Sequence, residues 1–95
     1  MDRTTAPIAW NQKARMRMAS LGITNADLAR HLNVTRQAVN GMLRRSNPTL
    51  DTLYTIERAL GVPRAWLSQR SDLLTVAEDA AQHTAPDWIG EARAK

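Results

Sequence analysis

A chain of 95 residues with 43% hydrophobic content and no cysteine suits one small domain, and it excludes disulfide frameworks, thiolate metal sites and cysteine nucleophiles. No apolar run approaches the roughly 20 residues of a membrane-crossing helix, and MDRTTAPIAW lacks the basic start and apolar stretch of a secretory signal, so a soluble, cytoplasmic protein is expected. The net charge of +4 is unevenly placed: residues 1–70 carry 11 Lys/Arg against 4 Asp/Glu, whereas residues 71–95 carry 2 against 5. Between Asp27 and Asp51 there is no acid, yet Arg30, Arg36, Arg44 and Arg45 fall in that gap, and a one-signed stretch of this kind favours a polyanion.

The apolar period is helical, and nothing alternates long enough for a strand, so an all-α chain is expected. After a loose MDRTTA, Pro7 opens a first helix with Trp10, Ala14, Met18 and Leu21 inward, and Gly22 closes it. TNAD, Thr24 to Asp27, is a capping box with aspartate in place of glutamate, and it starts a short second helix that buries Leu28, Ala29 and Leu32. Asn33 tolerates the left-handed conformation of a sharp turn, and Thr35 caps a third helix. NPTLDTL starts a fourth, capped by Thr49, with Leu50, Leu53, Ile56 and Leu60 inward and Gly61 at its end. Pro63 then suits the first turn of a fifth short helix, PRAWLSQ, returning Trp66 or Leu67 to the core.

The third helix carries the chemistry. Val39, Met42 and Leu43 share its inner face, leaving Arg36, Asn40 and Arg44 in one outer row and Gln37 beside Gly41 in another. Arginine can donate two hydrogen bonds to guanine, asparagine and glutamine can bond adenine at two points, and an α-helix is the element the major groove admits. A helical glycine costs roughly 1 kcal/mol relative to alanine, so Gly41 points to a close approach by a groove edge or a thymine methyl. Arg44 and Arg45 suit phosphate, although cations in a last helical turn are also favoured by the dipole.

ITNADLARHLNVTRQAVNGMLRR resembles the helix-turn-helix of the Cro/cI family, also called lambda-repressor-like or XRE, and NPTLDTLYTIERALGVPRAWL resembles that family's fourth and fifth helices. The resemblance covers about residues 8–70 and implies a five-helix DNA-binding domain, flanked by an N-terminal arm (1–7) and an acidic tail (71–95). Carried over by position, it implies phosphate contacts at Asn25 and Thr35, joined by Arg44 and Arg45, and base contacts at Arg36 and Gln37, with Asn40 and Gly41 one turn further along. Asn33 stands where the family usually has glycine, which implies a small stability cost. The function implied is a transcriptional repressor of phage or bacterial type, bound as a homodimer to a palindromic double-stranded DNA operator. The rival is an antitoxin-type protein that neutralises a protein partner and regulates its own operon. Under either reading, regulated release from DNA would need a partner protein or antirepressor, proteolysis or a competing regulator.

Ser20, Ser46, Ser68 and Ser71 have no histidine-acid constellation, no glycine-rich phosphate loop exists, and His31 and His83 have no paired spacing. No enzyme, cofactor or metal is expected. In the tail, SDLLTVAEDAAQ can form a sixth helix with a thin apolar side, Pro86 breaks it, and Trp88-Ile89 stand as an isolated apolar pair. The readings are a frayed tail or a contact surface. We assign Leu73, Leu74, Trp88 and Ile89 to dimerisation, with truncation after Arg70 expected to leave a folded domain.

Overall fold

Thr24, Thr35 and Thr49 each precede a helix, and each side-chain oxygen accepts from the backbone N–H three residues on: Asp27 at 3.2 Å, Ala38 at 3.0 Å and Thr52 at 3.2 Å. These bonds satisfy donors that a helix start leaves without partners inside the helix. The computed structural model describes residues 8–69, 76–78 and 83–93. Its helices are α1 (Trp10–Leu21), α2 (Asn25–Leu32), α3 (Arg36–Arg44), α4 (Leu50–Leu60) and α5 (Asp87–Arg93), with a further helical turn at 76–78. No strand occurs among the described residues. The arm at 1–7, including Pro7, lies outside them, as do Leu73 and Leu74.

Three helices end on a left-handed residue: Gly22 at φ 73°, Asn33 at φ 60° and Gly61 at φ 73°. The core joins Ala14, Met18 and Leu21 of α1 to Leu28 and Ala29 of α2, Val39 and Leu43 of α3, and Leu53, Ile56 and Leu60 of α4. Leu50, expected inward, is 62% exposed. It is the first residue of α4, and the helix begins before its side meets the core.

The segment after Pro63 is a set of hydrogen-bonded turns rather than a regular helix. Ala65 adopts φ 75°, which stops an α-helical path, and the remaining bonds are Trp66 N–H to Pro63 O at 3.1 Å and Gln69 N–H to Ala65 O at 2.9 Å. Trp66 and Leu67 nevertheless reach the core as expected. Two buried charged residues pin the turns. Lys13 Nζ donates to the carbonyls of Trp66 and of Gln69, the latter at 2.8 Å, with its ammonium 4.9 Å from the Trp66 ring centroid. From the other side, the Leu67 N–H donates to Glu57 Oε2 at 2.9 Å.

The described part of the tail packs on the body. Val76 and Ile89 are 0% and 2% exposed and belong to the same core. Trp88 stacks on His31, centroids 4.1 Å apart and planes within 7°, and donates its indole N–H to Ala59 O at 2.7 Å. Arg17 donates to Leu60 O at 3.0 Å, His83 O at 3.2 Å and Thr84 O at 3.3 Å, joining α1, the end of α4 and the tail. Pro86 lies so close to Gly61 that a Cβ there would sit 2.7 Å from Pro86 Cγ. The isolated pair read from the sequence is therefore corrected: Trp88 and Ile89 pack against their own chain, which removes the exposed apolar surplus that had placed them at a dimer surface.

Candidate nucleic-acid interface

The pairing of α2 with α3 follows from residues at their junction. Asn33 turns the chain, with its N–H bonded to Arg30 O at 3.2 Å and the Val34 N–H bonded to Ala29 O at 3.0 Å. Ala29 is 4% exposed, and its small side chain lets the helices approach closely. The capping box is complete: besides the Thr24 oxygen accepting from Asp27 N–H, the Thr24 N–H donates to Asp27 Oδ2 at 2.9 Å. That backbone bond, with Thr24's hydroxyl and the nearby Arg30 guanidinium, lowers the pKa of the Asp27 carboxyl below its ordinary value. Asp27 is also paired with Arg30, so this acid beside the basic stretch is locally neutralised.

On α3, Val39 and Leu43 are buried at 1% and 0%, and the helix turns Arg36, Gln37, Gly41 and Arg44 to solvent. A Cβ built on Gly41 meets nothing of this chain within 4 Å, so internal packing does not require glycine there. Arg45 and the capping Thr35 are exposed as well. Asn40 differs from its neighbours on the outer face. It is half-buried, and its Oδ1 accepts from Asn25 Nδ2 at 2.6 Å, which brings together two side chains assigned from the sequence to different tasks.

The far end of α3 is held by residues the sequence reading did not single out for this task. Trp10 Nε1 donates to Arg45 O at 2.8 Å, and Asn11 Nδ2 donates to Leu43 O at 2.9 Å. The Leu43 carbonyl lies in the last turn and the Arg45 carbonyl just past it, where no helical N–H follows to meet them. The first turn of α1 thus fixes the direction in which α3 points. A polar residue beside an apolar stripe was the only signal for Asn11.

The basic balance of residues 1–70 also has to be revised downward as a surface quantity. Lys13 and Arg17 are 0% and 1% exposed and hold backbone carbonyls, so neither presents its charge to a polyanion. Burial lowers the pKa of Arg17 below its usual range. Arg15, Arg30, Arg36, Arg44, Arg45, Arg58 and Arg64 remain exposed. No group of histidine, aspartate and glutamate that could hold a metal ion occurs among the described residues, and no described helix is long and apolar enough to cross a membrane.

Two capped helices crossing at a small residue, with a cationic outer face on the second, define a helix-turn-helix DNA-binding domain. A family model described as helix-turn-helix matches residues 13–67, and the chain belongs to this family, in its XRE/Cro-cI-type form. The matched span runs from within α1 to Leu67, so it includes α2, α3 and α4 and leaves out α5. Comparison with curated proteins found no match, and neither did comparison with solved structures. The chain is a DNA-binding regulator.

Proposed function

We propose that the protein is a transcriptional repressor that binds a two-fold related operator as a homodimer, with α3 of each copy in the major groove. The observation that carries this reading is the exposed, acid-free face of α3, where Arg36 and Gln37 stand on the first turn and Gly41 leaves open space one turn later. Arg36 donates to guanine and Gln37 bonds adenine, while Thr35, Asn25, Arg44 and Arg45 bind phosphates on either side and set the register. One domain of this size makes a limited interface with DNA, and two copies on half-sites one helical turn apart, ~34–36 Å, supply the affinity and the symmetry.

Selection of bound duplexes from a random pool tests the whole reading. We expect enrichment of two inverted half-sites with centres about 10 base pairs apart. In that background Arg36→Ala and Gln37→Ala each relax the choice at one position, losing roughly 1–3 kcal/mol of discrimination. Equal weakening on selected and random duplexes would sink base reading by these residues. Enrichment of a lone half-site would sink the dimer.

A further inference from the structure

We infer that Asn25 and Asn40 act as one phosphate-binding unit, so that Asn40 belongs with the backbone contacts and not with the base-reading side chains. The inference rests on the DNA-binding reading above, and it starts from hydrogen-bond polarity. A side-chain amide has one oxygen that accepts and one nitrogen that donates twice. Two-point recognition of adenine needs both, the oxygen for N6–H and the nitrogen for N7. In this fold Asn25 Nδ2 donates to Asn40 Oδ1 at 2.6 Å across the crease between α2 and α3. Asn40 therefore turns its acceptor inward, and the N–H groups of its Nδ2, with the second N–H of Asn25, remain for a ligand. A ligand that meets donors from two amides is one whose atoms only accept; in a DNA duplex that is a phosphate or the O6 and N7 edge of guanine, and the set-back position of both amides selects the phosphate.

Exposure agrees with polarity. Arg36, Gln37, Gly41 and Arg44 are exposed on α3, whereas Asn40 and Asn25 are both half-buried beside the helix junction. A side chain set back in the crease meets the strand that passes over the junction, while the protruding residues reach into the groove. Each amide also orients the other: Asn40 Oδ1 fixes the plane of the Asn25 amide, and removal of either partner leaves the survivor free to rotate. Both amides are neutral, so their contact with phosphate displaces no counterion, unlike a contact made by Arg44 or Arg45.

The test is a double-mutant cycle of Asn25→Ala, Asn40→Ala and the pair, measured on the selected operator and on a random duplex over a range of salt. Each single variant should weaken both duplexes by the same factor, roughly tenfold for a hydrogen bond to a charged group. The double variant should lose little more than either single, because the two amides work as one group. The salt slope should stay unchanged, whereas Arg44→Ala makes it shallower by about one unit. Loss of the bond between the amides lowers the thermal midpoint by only a few degrees, so binding measured well below the midpoint reports the DNA contact and not unfolding. A change in the base selected by Asn40→Ala, an additive double variant, or undiminished binding overturns the unit. If no sequence is enriched yet the coupled loss persists on random duplex, base reading fails and the amide unit stands. If the wild-type protein retains no duplex at all, both fall.

Discussion

Gly41 sits inside α3 at a cost of roughly 1 kcal/mol relative to alanine, and nothing in the fold asks for it. Gly41→Ala should therefore raise the urea midpoint by an amount corresponding to about 0.5–1 kcal/mol while weakening operator binding. A gain in stability with undiminished binding would refute the close approach. Asp27 makes a different kind of prediction, in pH. Its carboxyl pKa is lowered in the folded chain, chiefly by the Thr24 backbone bond, so its contribution is fully present above the unfolded value of about 3.9 and disappears as pH falls through the lowered folded value. The stability difference between wild type and Asp27→Asn should accordingly be constant near neutrality and shrink below about pH 4. A difference unchanged down to pH 2 would show that the box acts through shape alone. The cap was legible before folding, because the spacing of TNAD announces it, whereas a close approach at Gly41 is the proposal that the alanine variant tests. The bond between Asn25 and Asn40 was not legible, because residues fifteen apart meet only once the turn at Asn33 has set two helices side by side.

Among the elements, the caps of α2, α3 and α4 and the stops of α1, α2 and α4 follow local chemistry, and they lie where threonine, glycine and asparagine put them. The segment 63–69 does not. Proline at the start of a short apolar stretch reads as a helix, but Lys13 takes the carbonyls of Trp66 and Gln69 and Glu57 takes the Leu67 N–H. Those bonds hold turns in which Ala65 has φ 75°. A left-handed alanine costs roughly 1–2 kcal/mol, and glycine relieves it at the expense of a more flexible unfolded chain, so Ala65→Gly should stabilise by a net 0.5–1 kcal/mol or so. Chemical denaturation checks this, and a loss of stability there would mean that the alanine methyl packs favourably. Lys13 and Arg17 escaped the periodicity argument for a related reason. They flank the apolar stripe of α1 one helical turn apart, on the side it buries, and a pattern that treats every cation as solvated turns them outward.

For the whole molecule, the extension beyond the matched family span completes the core. Val76 and Ile89 are buried in it, Trp88 covers the ends of α2 and α4, and Arg17 binds two tail carbonyls. Ile89→Ala should cost about 2–5 kcal/mol, the usual range for truncating a buried isoleucine. Truncation after Arg70 should destabilise the chain further, with loss of cooperative unfolding, in place of the independent domain that the sequence pattern suggests. Equal denaturation midpoints for the truncated and full chains would show instead that the tail rests on a self-sufficient body.

The caps of α2 to α4, the stops of α1, α2 and α4, the family, the cationic outer face of α3 and the residue types suited to bases were settled by the amino-acid order, because caps, turns and faces depend on neighbours within about four positions. Which cations stay in water, whether Trp88 and Ile89 are free, and which way Asn40 turns its oxygen depend on groups 15 to 67 residues apart in the chain. A hydrogen-bonding or apolar group reveals its type in the sequence, but its partner is chosen only when packing brings distant carbonyls, rings and amides within reach.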